Sequence, residues 1–230
     1  MSRSSNLQEN PAVKTLKFKG EKFDKKTKKI TREAGWFYWD KNGNDGEGED
    51  VTVSLPLTFL WLESAQSFTG YNDKKEQGVY SNEILPTQDA VKKYGEQELT
   101  VKCGTDVIAQ GKYKDIKEEV KGMGGKFCIP VYAAWENQGE YEIIRLLMTG
   151  ASGSAWMSFN DRNKNLTNVV VCYDTEDIDM KTGDSYKAPM FKYIKATDEQ
   201  LDIANELVKQ VDSYFDYLYA EPVKTEAADY

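Results

Sequence analysis

The feature that most constrains the fold is the alternation of apolar and polar side chains along several short segments. The clearest example is segment 51–61, in which every second residue is apolar: Val51, Val53, Leu55, Leu57, Phe59 and Trp61. Because successive side chains of a β-strand point to opposite faces, this pattern predicts a strand that buries one face. Segments 13–19, 127–135 and 141–148 also favour strands, so the sequence predicts a mainly β protein.

The order of the predicted elements narrows the fold further. Three strands come first, at 13–19, 30–40 and 51–61, and Pro56 implies an edge or a bulge in the third. They are followed by two short strands within 66–84, a loop at 85–97, a hairpin at 99–109, a helix at 112–123, a hairpin at 127–148 and a helix at 150–159. An OB-fold likewise places a helix between the third and fourth strands of a five-stranded barrel. We therefore predict an α+β, mainly β fold: an OB-like barrel with extra hairpins, with a β-sandwich carrying one or two helices as the alternative.

The C-terminal part of the chain is predicted to end in an amphipathic helix. An acidic loop separates strands at 169–173 and 186–194, and Thr197 with Gln200 forms a capping box that opens a helix at 197–219. We expect this helix to pack on the domain, although it could instead mediate a homodimer. The predicted organisation is a flexible N-terminus (1–10), a β-barrel domain (11–196), the helix (197–219) and an acidic tail (220–230).

The charge of the chain is distributed unevenly. The formal net charge is −8, yet segment 14–32 contains nine basic and only two acidic residues. Binding follows the local potential rather than the net charge, so this segment favours an anionic partner such as nucleic acid. The alternative is a solvated lysine face without a ligand.

Aromatic side chains directly follow this basic segment, in the run 36–39. Cations that contact phosphates, beside rings that stack on bases, are typical of proteins that bind single-stranded nucleic acid. Strand alternation directs either Trp36 with Tyr38, or Phe37 with Trp39, away from the core. The predicted nucleic-acid-binding residues are Lys17, Lys19, Lys25, Lys26, Lys28, Lys29, Arg32, Trp36, Tyr38, Tyr132 and Arg145. The alternative is that protein covers both faces of the strand.

The sequence excludes several kinds of catalytic site. Histidine is absent, which rules out Ser-His-Asp and Cys-His centres, and the three cysteines form no zinc-binding or disulfide pattern. The glycine-rich segment 122–126 lacks the spacing of a phosphate-binding loop. The acidic residues of 174–184 could serve a divalent-metal nuclease, but a solvated loop explains them better. We expect no cofactor, no metal and no enzymatic activity.

The termini suggest where the protein acts. No apolar run reaches the roughly 20 residues that a membrane span needs, and the polar start is not a signal peptide. These features predict a cytoplasmic protein without a membrane partner. The acidic tail, with Glu226, Asp229 and Tyr230, could recruit replication proteins or reflect chance composition.

Several blocks of the chain are distinctive, namely 59–71 (FLWLESAQSFTGY), 78–83 (GVYSNE), 111–117 (GKYKDIK), 125–128 (GKFC), and Gly150-Ala151 followed by Ser154-Ala155-Trp156. These blocks resemble a family of bacteriophage proteins that includes those of crAss-like phages. The resemblance covers about residues 14–160 and implies single-stranded DNA binding in phage DNA replication and recombination, in the host cytoplasm. It carries no residue-level binding motif, so the candidate residues depend on strand alternation alone.

Together these features predict a single-stranded DNA-binding protein without sequence preference. The chief alternative is a phage accessory or structural protein whose aromatic and acidic surfaces bind other proteins.

Overall fold

The computed structural model describes residues 10–24, 26–27, 29–41, 48–162, 168–179 and 185–220. Within these residues the chain forms fourteen strands and four helices. The strands are β1 (Lys14–Lys19), β2 (Lys22–Phe23), β3 (Ile30–Arg32), β4 (Gly35–Asp40), β5 (Glu49–Val53), β6 (Leu57–Ser64), β7 (Ser67–Asn72), β8 (Gln77–Ser81), β9 (Leu99–Cys103), β10 (Asp106–Gly111), β11 (Gly125–Asn137), β12 (Glu140–Thr149), β13 (Asn168–Asp179) and β14 (Ser185–Lys195). The helices are α1 (Gln88–Tyr94), α2 (Tyr113–Gly122), α3 (Gly150–Arg162) and α4 (Asp198–Tyr219).

Twelve of these strands form one large mixed sheet, and β2 and β3 form a separate hairpin. The long strand β11 lies at the branch point: it pairs with β12 along most of its length, with β7 through its first residues and with β6 through its later ones. One branch runs β12-β1-β4-β5, and another runs β6-β13-β14. The mainly β class is thus confirmed, whereas the described sheet is not closed and a five-stranded OB barrel is not confirmed.

The largest core cluster lies between the two branches and is capped by α3. It contains the fully buried side chains of Leu16 and Trp36 on one branch, Cys172 on the other, and Trp156 of α3. The indole N–H of Trp36 donates to the sulfur of Cys172 at 3.3 Å, which joins β4 to β13 across the core. Burial raises the pKa of the Cys172 thiol to about 11, and all three cysteines are reduced and buried.

Four boundaries differ from the sequence prediction. The strand predicted at 51–61 is divided into β5 and β6 around the cis Leu55–Pro56 peptide, and proline cannot donate to a strand ladder. The strand predicted at 30–40 is divided into β3 and β4. The predicted loop at 85–97 contains α1, which Thr87 caps through its side chain. The acidic loop after residue 173 is largely strand, because β13 continues to Asp179 and pairs with β14.

The C-terminal helix packs on the sheet, as predicted. Thr197 and Gln200 form both hydrogen bonds of the capping box. Val211 and Phe215 are completely buried, and the ring of Phe215 lies 5.7 Å from that of Tyr132 in β11. Among the described residues no helix is both long and apolar enough to cross a membrane.

Two carboxylates interact in the region where α4 covers β6. Burial raises the pKa of Glu63 above its usual value of 4.5, and the nearby carboxylate of Asp212 raises it further. The pKa of Asp212 is also raised by burial, against the lowering effect of Lys93. A raised carboxylate pKa means that the folded state favours the protonated form, so each ionised group weakens the docking of α4.

We predict that Glu63→Gln stabilises the protein at neutral pH. The amide retains an oxygen that can accept the 2.7 Å hydrogen bond from the Ser64 N–H, but it removes the buried charge. The gain in Tm should be about 2–4 °C if that charge costs on the order of 1 kcal/mol. Because Glu63 favours folding below its unfolded pKa and loses this contribution as pH rises through its folded pKa, the gain should disappear in acid.

The measurement is thermal unfolding of both proteins from about pH 3 to about pH 8, a range that spans carboxylate titration. Glu118→Gln, on the exposed face of α2, is the matched control and should leave Tm unchanged. A Tm gain for Glu63→Gln that does not vary with pH would contradict the burial argument.

Candidate nucleic-acid interface

A groove of about 920 Å³ runs along the face of β1, β4 and β12 that is opposite the main core. In the ladder, Lys17 pairs with Phe37 of β4 on one side and with Leu147 of β12 on the other. These three side chains therefore share one face, and Trp39, two residues beyond Phe37, continues it. We call this site the β1–β4 groove.

Cationic side chains outnumber acidic ones in the β1–β4 groove. Five cations line it, namely Lys14, Lys17, Lys19, Lys41 and Arg145, together with the carboxylates of Asp40 and Asp50. Three of these cations are already paired: Lys19 with Asp50, Lys14 with Glu142 at 2.5 Å, and Arg145 with Glu83 at 2.7 Å. Lys17 and Lys41 are exposed and form no ion pair with any residue that the structure describes. They are therefore the groove cations best placed to contact an anionic ligand.

The aromatic run resolves into one inward and one outward pair. Trp36 is completely buried, so this predicted stacking residue is corrected. The reason is that the Trp36 indole fills the core between Phe18 and Cys172. Tyr38 is half-buried: it packs partly against the same core and also lines the groove, so its stacking role stays a prediction. The outward pair is Phe37 and Trp39. Strand alternation had allowed this pair as the second of two possible orientations of the strand.

Only one ring of the outward pair is open to a ligand. Phe37 is 4% exposed because the cations of Lys19 and Arg32 lie 5.7 Å and 5.3 Å from its ring centroid. Trp39 is 58% exposed. Trp39 is therefore the ring of this face that is available for stacking.

Gly48 fixes the position of the Trp39 ring. A Cβ atom on Gly48 would lie 2.6 Å from the Cζ2 atom of Trp39, so only glycine allows the indole to pack this closely on the backbone. Gly48 also has a φ of +79°, in the left-handed region that favours glycine. An exposed ring that is held in place loses little entropy on binding a ligand.

Tyr132 is the second stacking residue that the structure corrects. Its side chain does face away from the main core, but α4 covers that face and leaves it 0% exposed. Its hydroxyl donates to Glu83 at 2.6 Å and accepts from the Asn10 side chain at 2.8 Å. The sheet is therefore buried on both sides at this point, which strand alternation alone does not reveal.

Arg145 lies at the boundary between the groove and this buried network. Its guanidinium donates to the nearly buried Glu83 at 2.7 Å, and the backbone oxygen of Glu83 accepts from the Tyr219 hydroxyl of α4. Burial works to lower the pKa of Arg145, but the interactions with Glu83 and Tyr132 together outweigh it and the pKa is raised. Arg145 is thus a structural ion-pair partner whose charge is largely compensated.

The β2–β3 hairpin presents the remaining predicted lysines. Lys26 and Lys29 are exposed, whereas Lys25 and Lys28 lie outside the described residues. Arg32 anchors the hairpin: it donates to the backbone oxygen of Gly20 at 3.0 Å in addition to covering Phe37. The predicted tail residues Glu226, Asp229 and Tyr230 also lie outside the described residues.

Sequence reasoning missed Lys41 and Gly48. Lys41 follows Phe37 and Trp39 at two-residue spacing, so the same alternation could have placed it on the groove face. Gly48 had no such signal, because its role depends on a contact with Trp39, a residue that is not its neighbour in the sequence.

The acidic residues of β13 do not assemble into a metal site. Asp177 forms an ion pair with Lys187 at 3.1 Å, and Asp184 lies outside the described residues. Among the described residues no group of three or more acids or cysteines is arranged to hold a metal ion.

No protein-family model, no curated protein and no solved structure matches this chain. The resemblance to phage single-stranded DNA-binding proteins therefore stays a prediction.

We predict that Arg145→Ala destabilises the protein by about 2–3 kcal/mol, because it leaves the Glu83 carboxylate buried without its partner. The double variant Glu83→Gln/Arg145→Met, which removes both charges, should recover much of this loss. Urea unfolding measures both values. An Arg145→Ala protein of unchanged stability would contradict the structural role and return Arg145 to the set of direct ligand contacts.

We also predict that Trp39 dominates the solvent-accessible tryptophan fluorescence. Of the five tryptophans, Trp36, Trp61 and Trp156 are buried and Trp135 is half-buried. At low salt, iodide should quench the protein more strongly than caesium, because the groove cations attract an anion. Trp39→Phe should remove most of this difference, and equal quenching by the two ions would contradict a cationic groove around Trp39.

Proposed function

We propose that this protein binds single-stranded DNA without sequence preference through the β1–β4 groove. The observation that carries the proposal is the juxtaposition, on one strand face, of a fixed and exposed Trp39 with the exposed cation of Lys17. A base can stack on the indole while Lys17 contacts a neighbouring phosphate. The phage resemblance adds an expected role in DNA replication or recombination.

The chemistry of the groove favours single strands over duplex. Stacking on Trp39 requires a free base face, which a paired and stacked duplex does not offer. One stacked base contributes about 1–3 kcal/mol, and every base can supply it. The described part of the groove lining contains no asparagine or glutamine, the residues that read adenine through paired hydrogen bonds. Binding without sequence preference follows from this composition.

The OB-fold interpretation also belongs to this proposal. The run β11-β12-β1-β4-β5 is a five-stranded segment with the main core on one face and the groove on the other. We infer that these five strands bind DNA across one face, as the sheet of an OB-fold does, although here they are part of a larger and open sheet. The support for this inference is the position of the groove over the middle strands β1 and β4.

A protein-interaction module is the second candidate. On the outer side of α4, Ile203 and Leu207 with Tyr141 line an apolar depression of about 310 Å³. Such a surface suits a protein partner, and it does not exclude DNA binding in the groove. Recruitment of replication proteins by the tail and dimerisation through α4 are further proposals of this kind.

We predict that fluorescent oligo-dT binds at low salt, with an affinity that falls as salt rises. Trp39→Ala should weaken binding by about 1–3 kcal/mol. Lys17→Ala should reduce the magnitude of the log–log salt slope by about 0.7, the value for one phosphate contact on a single strand. Lys19→Ala should change the slope less, because Lys19 is already paired with Asp50. Fluorescence anisotropy across salt concentrations measures all four proteins.

Lys117→Ala, on the exposed face of α2, is the control for a general loss of positive charge. It should leave both affinity and slope unchanged, and unlabelled duplex should compete poorly. Absence of binding by the wild-type protein at low salt would overturn the proposed function and favour the protein-interaction module. Binding that Trp39→Ala and Lys17→Ala leave intact would place the DNA elsewhere.

A further inference from the structure

A second pocket, of about 620 Å³, lies between α3 and strand β14. One wall is the strand segment 188–193, at the edge of the described sheet, where β14 pairs with β13 alone. The other wall is a helix face of small side chains, Ala151, Ser154, Ala155 and Ser158, whose spacing of three to four residues places them on one side of α3. Small side chains here leave room for a flat ligand. We call this site the α3–β14 pocket.

Tyrosine rings line this pocket. The ladder between β13 and β14 shifts between Cys172 and Asp174, so Tyr173 occupies a β-bulge. Bulges redirect a side chain and occur often beside functional sites. Tyr173 is 41% exposed, and the ammonium of Lys192 lies 5.1 Å from its ring centroid. An exposed ring beside a cation repeats the chemistry of Trp39 and Lys17.

The floor of the pocket is rigid because it is continuous with the main core. The ring of Tyr193 lies 4.6 Å from that of Phe159, and Phe191 packs against Trp156 at 5.3 Å. Trp156 is itself completely buried. A ligand ring would therefore meet a preformed aromatic surface.

The charges at this pocket are mixed, with cations in excess. Among the described lining residues, Arg162 and Lys192 stand against the single carboxylate of Glu176. Another acid of β13, Asp177, is occupied by its ion pair with Lys187. The pocket can therefore accept a planar ring that carries negative charge nearby, which describes a nucleotide of a single strand.

The strand that forms one wall of the pocket also interacts with the segment that precedes the β2–β3 hairpin. The pKa of Lys187 is raised, chiefly by its hydrogen bond to Asp177 and also by the carboxylate of Glu21. Glu21 lies directly before the β2–β3 hairpin and interacts electrostatically with Lys187 of β14. The exposed lysines of the β2–β3 hairpin can follow the phosphates of a strand that continues beyond the groove.

We propose that the α3–β14 pocket binds a second stretch of the same single-stranded DNA, with a base stacked on Tyr173 and phosphates at Arg162 and Lys192. This inference rests on the proposed function of the β1–β4 groove and extends it. In this arrangement one base stacks on Trp39 and another stacks on Tyr173. The exposed lysines of the β2–β3 hairpin contact further phosphates.

The experiment compares oligo-dT of two lengths, about 6 and about 25 nucleotides, since single binding modules cover about 4–16 nucleotides. Tyr173→Ala should weaken binding of the long oligomer about fivefold or more, the loss of one stacked base, and should leave the short one unchanged. Tyr173→Phe keeps the ring and should bind both normally. Tyr217→Ala, on α4 and similarly exposed at 38%, is the matched control and should have no effect.

A direct readout accompanies these affinities. A long oligomer containing 5-iododeoxyuridine, which cross-links under light to a stacked ring, should give cross-linked peptides that contain Trp39 and Tyr173. Unchanged melting temperatures show that the variants fold.

The outcomes separate the two proposals. If the wild-type protein binds neither oligomer, the proposed function itself fails. If both oligomers bind and Trp39→Ala weakens them, but Tyr173→Ala has no effect and no cross-link forms at Tyr173, the pocket proposal alone is overturned and the pocket is left to a protein partner. If Tyr173→Ala weakened the binding of the short and the long oligomer equally, the pocket proposal would also be overturned, because the pocket would then not bind a separate stretch of the DNA.

Discussion

The burial of Trp36 determines which face of the sheet is available to a ligand. Its indole lies between Phe18 and Cys172 and donates a hydrogen bond to the cysteine sulfur, so β4 packs against β13 across the core with this face inward. A shift of one residue would expose Trp36 and bury Trp39. In the shifted register the Trp36 indole would lose its hydrogen bond to Cys172 and its edge contact with Phe18, and these contacts favour the observed register. The orientation of β4 and the position of Trp39 therefore depend on this packing.

The second constraint is the coverage of the sheet by α4. The same sheet has an outer face along its whole width, but α4 covers the part formed by β6 and β11 and buries Tyr132 there. The groove lies on the neighbouring strands, and the ion pair of Arg145 with Glu83 lies between the two regions. Since the Glu83 backbone also accepts a hydrogen bond from Tyr219, the docking of α4 and the edge of the groove are physically coupled.

Strand alternation predicted much of the local structure and only part of the site. It placed Lys17 on the outer face correctly, and it limited the aromatic run to two registers without choosing between them. That choice depends on the contact of Trp36 with Cys172, which is 136 residues away in the chain. The prediction that Tyr132 stacks on a base was wrong for a related reason. Strand alternation gives the direction of a side chain, but it does not show whether a helix that is distant in the sequence covers that side chain. The role of Gly48 could not be predicted at all. A glycine has no side chain to take part in an alternating pattern, and its role here is to let the Trp39 ring pack closely on the backbone.

The acidic composition of the chain has a consequence for how the groove would select its ligand. Several groove cations already face carboxylates, as Lys19 does with Asp50 and Lys14 with Glu142. A phosphate that replaces such a carboxylate exchanges one ion pair for another, and exposed pairs differ little in free energy. Paired lysines therefore add little nonspecific attraction to polyanions, whereas stacking on Trp39 operates only with a free base. The more of the positive charge is compensated internally, the larger the share of the binding free energy that comes from stacking. An acidic protein with few uncompensated lysines beside one exposed tryptophan thus gains discrimination against duplex, at the expense of overall affinity.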